Sequence, residues 1–197
     1  HKGVHGLYDP AARHRDKYKD APHAPPATMT KTAENVAGKP MWVQDQRNSW
    51  HGVEFAYHGR SMQSVAEMYR HYCEMILSID DSVGHVLQTL QAKGLQKNTL
   101  ILFTSDGGHL WGEHGLIDKR CAYEESIRIP LLAYWPSRIK PGTLCDALVA
   151  NIDVAPTLLE LAGVDSRETL DGNSLVPLLK NPDAQDSWRK GLVYEYY

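Results

Sequence analysis

Apolar residues between positions 61 and 93 recur at steps of three and four: Val65, Met68, Tyr72, Met75, Ile76, Ile79, Val83, Val86, Leu87 and Leu90. That spacing predicts one long amphipathic helix. Ser61 or Ser64 suits its start and Gly94 its end. The pattern then changes. Leu100 to Phe103 and Ile129 to Tyr134 are short uninterrupted apolar runs, which predict strands buried on both faces. Asp153 precedes Val154 to Ala162, with Pro156 in the first turn and Gly163 just beyond, the signature of a capped helix. Ser174 to Leu179 predicts one more helical turn, and Leu192 to Tyr197 a last strand. The order is helix, strand, loop, strand, helix, strand. It predicts an α/β fold with helices flanking a mostly parallel central sheet.

Residues 1–60 lack such periodicity. They hold six of the ten histidines and five of the eleven prolines, which predicts irregular loops. Trp42, Trp50, Phe55 and Tyr57 supply aromatic area to pack that stretch down. One domain is therefore expected over 1–197, with loops in 1–60 and the α/β portion in 61–197. The chain opens on His1 and closes on an apolar run, which reads as a fragment of something larger.

Composition narrows the classes. The formal charge of -3, from 21 basic and 24 acidic residues, argues against a general nucleic-acid binder. No apolar run reaches the length of a membrane span. Cys73, Cys121 and Cys145 form no metal or redox spacing.

The chemistry is concentrated after the first strand, from Thr104 to Arg120. Ligand sites in open α/β sheets lie beyond the carboxyl ends of strands, and Asp106 sits there. A carboxylate so placed suits a hard divalent cation. Gly107 and Gly108 allow close approach of backbone to a ligand. Lys119, thirteen residues on, offers a point charge with three donors for a tetrahedral oxyanion. Taken singly, each feature has a plainer reading: a turn at Asp-Gly-Gly, surface histidines at 109 and 114, a packing role for Trp111. Two motifs fail on inspection. His109 to His114 has one residue too many for an inverted zinc-protease pattern, and Pro136-Ser137-Arg138 is preceded by Tyr134 where a modifiable Cys would stand.

Together the segments resemble a known family. Asp106 to Leu132, with Gly112-Glu113-His114-Gly115, Asp118-Lys119-Arg120, Tyr123-Glu124-Glu125 and Arg128-Ile129-Pro130-Leu131, resembles the metal-and-lysine segment of type I sulfatases of the alkaline-phosphatase superfamily. Asp80 to Gly84, Asp153 to Leu159 and Leu170 to Leu175 are similar to that family's preceding helix, following helix and loop. Lys2-Gly3-Val4-His5 with Pro10 and Arg13-His14 resembles its loop bearing a substrate-contacting histidine. Trp42 to Gln46 and Arg47 to Gly52 look most like bacterial proteins related to N-acetylglucosamine-6-sulfatases.

The resemblance implies an alkaline-phosphatase-like fold, incomplete here, and hydrolysis of sulfate esters on a sulfated carbohydrate. It implies calcium held by Asp106, sulfate contacted by Lys119, and His5 near the sulfate or leaving oxygen. It implies a formylglycine nucleophile made from a Cys-x-Pro-Ser-Arg motif that is not in this sequence. The isolated fragment is thus expected to be inactive. Export to the periplasm or beyond the cell is implied on the same basis. Gly107 departs from the family, which usually carries Asn, His or Gln there. His109 reaching the metal or sulfate, a water, or a weakened site are the alternatives. A phosphoesterase of the same superfamily and a non-catalytic sulfated-glycan binder are the rival readings.

Overall fold

The computed structural model describes residues 4–6, 8–54, 64–165 and 169–195. The chain divides into two compact units, 1–89 with 107–128, and 90–106 with 129–197.

The first unit is organised on α3 (Val65–Ala92, through Thr89), preceded by α1 (Ala33–Val36) and α2 (Met41–Asp45). Ser64 starts α3 by a reciprocal cap. Its Oγ accepts the Glu67 N–H at 3.2 Å, and the Glu67 carboxylate accepts the Ser64 N–H at 2.8 Å. Residues 8–23 lie antiparallel along this helix. Arg13 and His14 reach Asp81, the Tyr18 N–H donates to Glu74, Arg70 donates to the Ala21 carbonyl, and His23 packs on Tyr69. Glu74 is buried at 1% exposure because that backbone amide lies against it. Beyond α3 in this unit come β2 (Leu110–Trp111), β3 (Ile117–Asp118) and α4 (Glu124–Ile127). β2 and β3 pair antiparallel, and a bridge between Gly52 and Leu116 adds the 51–53 segment beside β3.

The second unit holds β1 (Ile101–Thr104) and β4 (Leu131–Tyr134), then α5 (Val154–Ala162) and α6 (Val176–Lys180). Its centre is Asp153, which is fully buried. The carboxylate receives both Arg189 terminal nitrogens and the N–H groups of Ala150 and Asn173. The Asp153 carbonyl accepts the Thr157 hydroxyl, whose oxygen in turn accepts the Leu175 N–H at 2.7 Å. One polar hub therefore joins the start of α5, the 172–175 loop and the C-terminal segment.

The helix and strand assignments hold closely, with five differences. β1 and β4 run antiparallel, so the described residues contain no parallel pair. The reason is the connection: 105–130 returns as a short ribbon and one helical turn, without the crossover helix that parallel neighbours need. The apolar runs are not buried on both faces, since Phe103 is 38% and Leu132 59% exposed. Trp42 and Trp50 do not pack down either, at 63% and 49% exposed. α1, α2 and the 3-10 turns at Ala27–Met29 and Gln46–Asn48 lie where loop alone was expected; Thr32 caps α1, and Pro40 stands just before α2. Leu192 to Glu195 form no strand, and the final two residues lie outside the described set. Phe55 and Tyr57 also lie outside it.

Candidate functional site

Asp106 is exposed just past β1, in the second unit. The carbonyl of its neighbour Ser105 accepts a bond from the Asn151 side chain at 3.0 Å, which anchors the strand end to the turn before α5. Gly107 opens the first unit's next segment. Lys119 folds back onto Gly107, so that a Cβ there would lie 3.8 Å from the ammonium and 3.4 Å from the Lys119 Cδ. An alanine at 107 would meet the lysine stem at ordinary van der Waals distance. Gly108 is tighter still: a Cβ would overlap the Glu125 backbone carbonyl. The Gly108 and His109 amides donate to the carbonyls of Ser126 and Glu125, at 2.9 and 2.7 Å. The two glycines thus let 107–109 lie flush against the 119–126 segment.

His109 is built into an aromatic cluster. It stacks on Trp111 with ring centres 4.3 Å apart, and Tyr8, Tyr69 and Tyr72 close around Trp111. Its Nδ1 faces the Leu110 carbonyl at 2.8 Å, which only accepts, so Nδ1 carries the proton. Nε2 then accepts the Tyr8 hydroxyl proton at 2.9 Å. Burial pushes the His109 pKa below its ordinary value, consistent with this neutral form. Both ring nitrogens are therefore engaged by the protein itself. His5 is exposed three residues before Tyr8.

The loop carrying Lys119 is over-determined. Asp118 and Arg120, on either side of Lys119, have φ of 73° and 88°. His114 also has positive φ, stacks on Tyr123 at 3.8 Å, and stands between Lys39 and Glu125. Burial first, and the Lys39 charge second, hold the His114 pKa low. Arg47 is buried at 5% exposure, donates to Glu54 and the Met29 carbonyl, and fills the space beside Gly115. Tyr8, Arg47 and His51 were not singled out from sequence. Their roles depend on partners 101, 67 and 67 positions away, at His109, His114 and Asp118, and no local pattern marks such pairs.

A calcium site needs about six to eight oxygen ligands. Asp106 supplies one hard carboxylate at the expected strand end, and no group of three or more metal-ligating side chains is assembled among the described residues. A carboxylate is the donor type that a hard cation such as calcium takes, but this single group does not define a site.

The family described as N-sulphoglucosamine sulphohydrolase, C-terminal, matches residues 112–197. N-acetylglucosamine-6-O-sulfatase of Bacteroides thetaiotaomicron is 37% identical over 167 residues, covering 80% of this chain and 30% of that protein. The human N-acetylglucosamine-6-sulfatase is 41% identical over 138 residues, 69% of this chain and 25% of the relative. Residues 112–197 belong to this sulfatase family. A solved structure, described as a complex with its substrate D-glucosamine-2-N,6-O-disulfate, superposes with a TM-score of 0.73 at 30% identity, over 98% of this chain and 49% of that one. The sulfatase fold is thus α/β of the alkaline-phosphatase type, seen here in part. The chain spans about a quarter to a third of the length of these curated relatives. Among its described residues, no helix is long and apolar enough to cross a membrane.

Proposed function

We propose that the protein carrying this chain hydrolyses sulfate esters of a sulfated amino sugar, with the 6-O-sulfate of N-acetylglucosamine as the leading substrate. The observation that carries the reading is the seating of Lys119, inside the segment 112–197 that matches the sulfatase C-terminal family, on Gly107, next in the chain to Asp106. Lys119 donates to a sulfate oxygen and opposes the charge that grows as the S–O bond breaks. His5 protonates the departing alcohol oxygen. Asp106 is one ligand for calcium, and His109 holds the 107–111 segment in place through Tyr8 and Leu110. Calcium bound at Asp106 would supply charge neutralisation for the sulfate oxygens, and a formylglycine outside these 197 residues would supply the nucleophile. Export from the cytoplasm follows the family and belongs to the same proposal.

The test is sulfate release by the whole protein from N-acetylglucosamine 6-sulfate, beside phosphate release from a phosphomonoester. Sulfate release that falls about 10²-fold or more in Lys119→Ala, and falls on calcium chelation, supports the reading. Preference for the phosphate ester favours a phosphoesterase, and calorimetric binding of the sulfated sugar without turnover favours a glycan binder.

A further inference from the structure

Lys119 emerges from a backbone that ordinary residues avoid. Asp118 before it and Arg120 after it both occupy the left-handed region, at φ of 73° and 88°. Neither is glycine, so the surroundings must hold them there. Behind Lys119 the restraint is plain: the Arg120 N–H donates to the hydroxyl of buried Ser126 at 3.2 Å. In front of it, β3 pairs with β2 through Ile117–Trp111 and Asp118–Leu110. The Ile117 N–H donates to the His51 carbonyl at 2.8 Å, the Val53 N–H to Gly115 at 3.1 Å, and Gly52 bridges Leu116. The Asp118 side chain adds a second restraint to that pairing. His51 Nδ1 stands 3.1 Å from the Asp118 carboxylate. That buried nitrogen makes no aligned hydrogen bond, so the carboxylate acts on it as a close electrostatic partner. Arg120 approaches the same oxygen at 3.9 Å, but its side chain is 53% exposed and screened by water.

We propose that His51 is a positioning residue for Lys119: it grips Asp118 and so sets the turn from which the lysine reaches over Gly107. The inference rests on the sulfatase reading of Lys119. The 51–53 segment beside β3 brings the imidazole to the Asp118 carboxylate, at the residue from which the chain turns into Lys119. Misplacing a reacting group by about 1 Å costs roughly 10²-fold in rate.

The experiment measures kcat and KM of the whole protein on N-acetylglucosamine 6-sulfate, with circular dichroism for folding. His51→Asn places a side-chain N–H where Nδ1 stands, whereas His51→Gln places one nearer Nε2. The expected order is wild type, then Asn within about threefold in kcat, then Gln and Ala at least tenfold lower. His51→Ala added to Lys119→Ala is expected to change kcat less than twofold, because the group it positions is gone. Equal rates for Asn and Gln, a His51→Ala enzyme at wild-type kcat, or effects that multiply in the double variant each overturn the positioning role. These results leave the sulfatase reading standing. A fully active Lys119→Ala enzyme overturns that reading, and this inference with it. Should His51→Ala fail to fold, the comparison of Asn with Gln decides alone.

Discussion

Replacing Asp153 with alanine removes the centre of the second unit. The carboxylate is fully buried and accepts two bonds from Arg189 and one each, at 2.8 Å, from Ala150 and Asn173. The substitution leaves a guanidinium that is 12% exposed with no counter-charge, and two backbone N–H groups with no acceptor. Breaking one side of a buried ion pair costs about 3–5 kcal/mol. Set against a typical stability of about 5–15 kcal/mol, that is a third or more of the total. The exposed pair Glu124–Arg128, at 73% and 83% exposure, is the control and is worth about 0.5 kcal/mol or less. Urea unfolding followed by circular dichroism measures both. Amide exchange at Asn173 and Leu175, whose N–H groups bond into the hub, reports the loss locally. In a double-mutant cycle, Arg189→Ala added to Asp153→Ala should cost little more, giving a coupling of about 2 kcal/mol or larger. A folded Asp153→Ala protein destabilised by less than about 1 kcal/mol would refute the argument that this buried hub, and not the apolar contacts around it, holds the unit together.

Other outcomes follow from the same geometry. His109 has a depressed pKa in the folded state, so the unfolded chain binds its proton first as pH falls below about 6.5. Its contribution to stability is present above that value and lost as pH falls toward the folded pKa; His109→Phe should flatten the thermal midpoint in that window, with a residual slope from His114. Asp81 is held below its ordinary value, first by the Arg13 hydrogen bond and then by His14. Its contribution is present above the carboxylate range and lost as pH falls through the folded pKa, so Asp81→Asn should remove part of the acid limb of a stability–pH curve. Gly115→Ala forces a Cβ into the Arg47 guanidinium at φ of 76°, and urea unfolding should show a loss of about 2 kcal/mol or more.

Much of the helical frame was legible. The three-and-four spacing located α3 because one face of a helix must be apolar to pack, and Ser64 and Gly94 are residues whose chemistry marks helix ends. Gly163 closed α5 in the left-handed conformation expected of it. The strands were located but not their pairing or burial. An apolar run shows that a strand is available; whether its neighbour runs parallel depends on the path between them. Within the site, Asp106 and Lys119 stood out because a strand end and a charge within reach of it are local features. Tyr8, Arg47 and His51 did not.

From its residues alone this chain declares where its long helix lies, which glycines end helices, and which ordered motifs resemble those of sulfatases. Those properties depend on neighbours a few positions apart or on motif order, and periodicity and spacing carry them directly. Only the tertiary structure decided that His109 spends both nitrogens on Tyr8 and Leu110, that Asp153 gathers three distant segments, and that Lys119 stands in a left-handed turn faced by His51. The physical reason is the range of the forces. A buried polar group takes whichever partner the fold brings within about 3 Å, and that partner can lie anywhere in the chain.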